Sequence, residues 1–194
     1  MSPSVFQAVI ICVAALFSGM ALAKVEVQSG QHKALGRILV VKVSEDIVLG
    51  DYEALLKGIK SNPGKYAKKI VMLDTIGGSV VEAMKMGRLF RETGFDVLVP
   101  STAVCQGSCV YLLAAGQRKT VRGHVGIHRP YYAGSDSVHS VSGAGAIKAS
   151  QIAYFKQMQM PLDLLEAMNS TPPQRMRVLT NAELKRYQLS SASH

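Results

Sequence analysis

Between Gly36 and Ala115, short apolar, β-branched runs alternate with segments of helical spacing, and this alternation constrains the fold more than any other feature. GRILVVKV reads as a buried strand because β-branched residues suit a pleated, covered surface. SEDIVLGDYEALLKGIKS follows, with Asp51 as the expected N-cap and Tyr52, Leu55, Leu56 and Ile59 along one helical face. After the turn SNPGKYAKK, KIVMLDT gives a second strand that ends in Ile76-Gly77-Gly78-Ser79. VVEAMKMGRLFRETG sets Val80, Val81, Met84, Leu89 and Phe90 on one side of a second helix, and FDVLVP makes a third strand. Strand, helix, strand, helix at these lengths argues for an α/β fold with parallel βαβ units. The residues from Val25 to Leu35 read as a polar lead-in, and no internal repeat is visible.

The second half changes character. Tyr131 to Ser150 is small, polar and glycine-bearing, which reads as a flexible loop and a candidate lid over a substrate. Gln151 to Met168 reads as helix broken at Pro161, and TPPQRMRV as a linker. Thr180 with Glu183 forms a capping-box pattern that opens a last short helix.

The chemistry concentrates in STAVCQGSCVYLLAAGQRKTVRGHVGIHRP. Ser108 stands at the mouth of the apolar run VYLLAA, and His128 follows twenty residues later in a segment that reads as a strand end. A serine at a strand-to-helix turn exposes its hydroxyl beside backbone N–H groups, and a neighbouring histidine takes its proton during attack on a carbonyl. The plainer alternative is that Ser108 caps the helix and His128 is a hydrogen-bonded core residue.

The first 23 residues, ending in Ala21-Leu22-Ala23, are apolar and contain no charged side chain. That pattern is expected of a signal peptide cleaved after Ala23, with an uncleaved anchor as the alternative, and residues 24–194 then form one exported domain. Cys12 has no lipobox-like neighbours. All of the formal net charge of +9 therefore falls after Ala23. Lys57, Lys60, Lys65, Lys68 and Lys69 lie far along the chain from Arg175, Arg177, Lys185 and Arg186, and no aromatic residues interleave with them. Nucleic acid is not an expected partner; a solvated basic surface is.

Taken in order, DTIGGSVVEAMKMGRLFRETG, CQGSCVYLLAAG, GIHRP and VLTNAELKRYQL resemble the proteolytic subunit of Clp proteases, closest to an exported, cysteine-containing branch of the Clp/crotonase-like superfamily. The resemblance covers roughly Gly36 to Leu189. It implies repeated ββα/βαβ units with a mainly parallel sheet flanked by helices. It also implies a serine hydrolase of peptidase kind that needs no cofactor or metal and acts on a peptide or protein. Ser108 would be the nucleophile and His128 the general base, with the N–H groups of Gly78 and Cys109 as oxyanion hole. The family's proline before the glycine pair is Ile76 here. Its third triad member, an aspartate, should fall near Met168 to Thr171, where MNST has no carboxylate; Asp136, Asp163 and Glu166 are the nearby acids. A non-catalytic binding protein that keeps the cleft is accordingly the alternative function. The handle region that builds the family's large rings is shortened or altered, so a double ring is not expected, and a smaller homo-oligomer stays open. For an exported chain no ATPase partner is expected either.

In an oxidising compartment Cys105 and Cys109 are expected to pair, a separation that a strand-to-helix turn permits. Two alternatives are open: two small buried hydrophobes, or ligands in a Cys105, Cys109, His124, His128 set whose spacing approaches that of a zinc finger. The glycine-rich, strand-like surroundings of the two histidines speak against the zinc finger, which needs a helix there.

Overall fold

A long central strand that forks organises the molecule. The computed structural model describes residues 25–130 and 139–191, with the backbone alone for residues 139–144. In chain order the elements are β1 (Val25–His32), β2 (Gly36–Ile47), α1 (Asp51–Lys60), β3 (Lys68–Gly78), α2 (Val80–Thr93), β4 (Asp96–Val99), β5 (Val104–Gln106) and α3 (Cys109–Ala115). They continue with β6 (Lys119–Val121), β7 (His124–Ile127), α4 (His139–Gln157), α5 (Leu162–Ser170), β8 (Arg177–Val178) and α6 (Asn181–Arg186). The eight strands form one mainly parallel sheet, antiparallel only where β1 meets β2 and β8 meets β7.

The first half of β3 pairs with β4 through Ile70–Asp96, and β4 pairs with β6. The second half of β3 leaves that branch and pairs with β5 through Thr75–Cys105, and β5 pairs with β7. Asp74 reinforces the second branch by accepting the Val104 N–H at 3.1 Å. A unit of two strands and a helix therefore recurs: β4, β5 and α3 are followed by β6, β7 and α4, each strand laid beside its counterpart.

α3 explains why the branches diverge. All seven of its residues, CVYLLAA, are buried, and a helix apolar on every side must be enclosed. It touches strands of both branches and packs on α2. α4 docks against it through Tyr154, whose hydroxyl donates to the Tyr111 carbonyl at 2.7 Å, and Gln151, whose amide donates to the Tyr111 hydroxyl at 2.8 Å. Tyr111, Tyr154 and Phe155 meet edge to face, and burial pushes the Tyr154 hydroxyl far above its ordinary pKa.

Several expectations are corrected. The lead-in is strand β1, which forms a hairpin with β2; only Val25 of it is buried, so it carries no apolar run to announce it. The N-cap of α1 is Gly50, in a left-handed conformation, and Asp51 is the first helical residue, accepting the Val48 N–H at 2.8 Å. Residues 139–150, expected in a loop, begin α4 and make up most of it, while residues 131–138 of that loop lie outside the described residues. The linker after α5 contains β8. The break near Pro161 and the Thr180–Glu183 capping box are found as expected.

Candidate active site

The register of the second branch brings Ser108 and His128 together. Thr75 lies opposite Cys105, and Cys105 opposite Val125. Three residues beyond that row, at the carboxyl ends of β3, β5 and β7, come Gly78, Ser108 and His128. Carboxyl ends of parallel strands are where open α/β sheets bind their ligands. The twenty-residue interval between Ser108 and His128 is the β5–β7 register itself, since Val104, Cys105 and Gln106 face His124, Val125 and Gly126. The Gly107 N–H extends the pairing by donating to the Gly126 carbonyl at 3.1 Å.

Ser108 is 6% exposed, and its buried Oγ makes no hydrogen bond among the described residues. It does not cap α3 with its side chain, which removes the helix-cap alternative. Two glycines press on it. A Cβ at Gly77 would lie 3.2 Å from Ser108 Oγ and 2.9 Å from Ser108 N, and Gly77 has a φ of 101°. A Cβ at Gly107, where φ is 54°, would lie 2.7 Å from His128 Nε2. The histidine edge thus rests on the residue directly before the serine.

His128 is half-buried just past the end of β7. Its Nδ1 lies 2.9 Å from the carbonyl oxygen of Arg129. A carbonyl only accepts, so this contact puts the ring proton on Nδ1 and leaves Nε2, the nitrogen facing the serine turn, free to take one. The Arg129 N–H in turn donates to the Thr171 carbonyl at 2.8 Å. The segment where an acid was sought therefore does reach the histidine's neighbour, through backbone. Asp163 pairs instead with Arg186 at 3.0 Å, Glu166 is exposed, and Asp136 lies outside the described residues.

The backbone donors are arranged in two groups. At the start of α3 the N–H groups of Val110 and Tyr111 bond the carbonyls of Gly107 and Ser108. The Cys109 N–H heads the helix, where a regular helix offers no partner. At the end of β3 the Gly77 N–H is taken by Thr75 Oγ1 at 3.1 Å and the Ser79 N–H by the Ile47 carbonyl at 2.7 Å, on either side of Gly78. Thr75 also donates to the Glu45 carbonyl, so its buried hydroxyl fixes the glycine turn.

Gly78, Ser108 and His128 open onto a cavity of about 560 Å³ whose walls include Val80, Val81, Pro130 and Ile147. Ser79 on its floor caps α2 by accepting the Glu82 N–H. Glu82 is fully buried and joins the starts of α1 and α2. Burial works against its charge, yet the Lys85 ammonium at 2.9 Å and the Tyr52 N–H at 3.1 Å hold its carboxyl below the ordinary range.

Cys105 and Cys109 form a disulfide with Cα atoms 5.3 Å apart, both residues fully buried. It ties the strand before Ser108 to the helix after it. Their sulfurs are bound to each other, so the cysteines do not join His124 and His128 as a ligand set; His124 opens β7 and is exposed, and His128 follows its end. A disulfide suits an oxidising compartment. Among the described residues no helix is long and apolar enough to cross a membrane.

Thr75, Gly107, the Arg129 carbonyl and the apolar walls were not singled out from sequence. The left-handed turn at Gln106-Gly107-Ser108 had one available signal, a glycine directly before the serine. Compared with known proteins, the chain matches no family model and no curated relative.

Proposed function

We propose that this protein is an exported, ATP-independent serine hydrolase of Clp/crotonase-like fold that cleaves peptide bonds. The observation that carries the reading is the row of Gly78, Ser108 and His128 at the ends of three adjacent parallel strands, opening on one apolar-walled cavity. The recurring two-strand-and-helix unit supports the fold assignment.

In this reading Ser108 Oγ attacks the scissile carbonyl carbon while His128 Nε2 takes the hydroxyl proton. The N–H groups of Gly78 and Cys109 receive the oxyanion. As the carbon–nitrogen bond breaks, His128 returns the proton to the leaving amine; water then attacks the acyl-serine with the same histidine as base. The Arg129 carbonyl holds the tautomer, the orienting half of what a carboxylate does, and cannot neutralise the imidazolium. Loss of the acid typically costs ~10⁴ in rate, or about 5 kcal/mol of barrier. The enzyme is therefore a slow Ser108–His128 dyad.

The second reading, a binding protein that keeps the cleft without turnover, draws on that same missing charge and on the unbonded Ser108 Oγ. A serine-directed fluorophosphonate separates the two. The hydrolase is labelled at Ser108, labelling disappears in Ser108→Ala and falls strongly in His128→Ala; an unlabelled native protein would leave only the binder.

A further inference from the structure

Beside the Ser108 cavity, whose lining includes Val81, the ends of β2 and β3 and the start of α2 bear a rim of large apolar side chains turned to solvent. Leu49 is 86% exposed, Ile76 58%, Val81 51% and Val48 42%. They form one neighbourhood, because the Ser79 N–H bond to the Ile47 carbonyl and the Ile47–Gly78 pairing clamp the two segments that bear them. Isolated exposed apolar residues are ordinary; a group gathered at one site mouth marks a contact surface.

The course of β1 says what that contact is. β1 is antiparallel to β2 and begins with Val25 opposite Val43, only four residues before Ile47. At about 3.3 Å per residue that is roughly 13 Å along the strand. Val25, the first described residue, thus stands at the same end of the sheet as the Ser108 row. Residues 2–23, which precede it in the chain, contain no charged side chain and are long enough to match a bilayer's hydrocarbon thickness. A second copy or a soluble protein would also cover an apolar rim, yet neither explains why the rim lies where this charge-free run joins the domain. The exposed charges around it are of both signs, Lys42, Glu45, Asp46 and Glu53, so no anionic lipid is called for.

We infer that residues 2–23 stay on the chain as a membrane anchor and that the rim formed by Val48, Leu49, Ile76 and Val81 rests on the bilayer surface, turning the Ser108 cavity towards the membrane. The substrates reached from there are polypeptide segments at or emerging from the lipid surface. The surface contact stands independently of the hydrolase reading; only the choice of substrate rests on it.

The chain has no tryptophan, so a single introduced one reports its own position. Full-length Leu49→Trp and Lys65→Trp, the latter exposed before β3 at the opposite end of the sheet, are reconstituted in phosphatidylcholine vesicles with and without brominated acyl chains. The expected result is loss of more than half of the Leu49→Trp emission to bromine and little change for Lys65→Trp, unaltered when Ser108→Ala is added. Equal quenching of both, quenching of neither, or a mature protein that lacks residues 1–23 and stays off vesicles overturns the inference. So does a lipid-independent, concentration-dependent blue shift of Leu49→Trp, which would assign the rim to a second copy. Because no arm depends on Ser108 reactivity, failure here is distinct from failure of the labelling experiment.

Discussion

A side chain at position 107 would stand where the His128 ring stands, since a Cβ built on Gly107 falls 2.7 Å from Nε2. The left-handed φ of 54° adds roughly 1–2 kcal/mol of backbone strain for any other residue. Gly107→Ala is therefore expected to slow fluorophosphonate labelling of Ser108 by about 10²-fold, the order expected when a catalytic group is displaced by an ångström. Labelling rate alongside a thermal melt checks it; a parent-like rate would mean that the ring does not work from this position.

The Arg129 carbonyl, not a carboxylate, holds His128. Asp163→Asn and Glu166→Gln should each leave labelling within a few-fold of the parent, because one acid is engaged by Arg186 and the other is exposed. Long-range ¹H–¹⁵N correlation spectra should show the neutral His128 ring protonated at Nδ1. A labelling loss of orders of magnitude in either variant would reveal a carboxylate at work.

The Cys105–Cys109 bridge closes a very short loop around Ser108. The chain-entropy estimate for such a loop is about 2 kcal/mol. For a domain of this size that corresponds to a melting temperature about 4–8 °C lower in a Cys105→Ala, Cys109→Ala double variant. The labelling rate should fall as well, since the bridge holds the strand and helix on either side of the nucleophile. Differential scanning calorimetry and labelling of the same preparations check both halves.

Lys119 offers a pH signature away from the site. Burial, with help from the Arg91 charge, pushes its ammonium down to about 8. Unfolding returns it to the ordinary lysine value near 10.4. Between those values the unfolded chain binds more protons than the folded one, so stability rises with pH across that window and the penalty of the buried charge is felt in full below it. Chemical denaturation at pH 7.5 and 9.5 should show the increase in the parent and a smaller one in Lys119→Met, which removes the titrating group while keeping an apolar stem.

Elements with a strong local pattern were legible in the sequence. β2, β3 and α2 follow from apolar periodicity, α6 from its capping box and the α4–α5 break from Pro161. β1 was not, because it is an edge strand whose side chains mostly face water and whose conformation comes from pairing with β2. The start of α4 was hidden by Ser, Gly and Ala, which have no apolar face to give a period. At the site, Ser108, His128, the glycine pair and the cysteines could be named from local sequence. Thr75 and the Arg129 carbonyl could not, since both act through long-range or backbone partners. The structural repeat was equally invisible: β4–β5–α3 and β6–β7–α4 share pairing geometry without sharing residues.

The strand register has a bearing on how the chain tolerates changes in length. Ser108 and His128 each stand two residues past the paired positions Gln106 and Gly126. Within the chain that separates them, the connection from Gly116 through Arg118 joins α3 to β6 and sets neither position. Extra residues there that keep the Gln117 N–H bond to the Phe95 carbonyl and the Val97 N–H bond to the Arg118 carbonyl should leave the two residues in place although their numerical spacing grows. A single residue added between Gln106 and Ser108, or between Gly126 and His128, shifts one partner out of the row and leaves the other behind. Among divergent versions of this chain, the twenty-residue interval is thus free to drift, while the two-residue tails that end β5 and β7 are the lengths that must stay fixed.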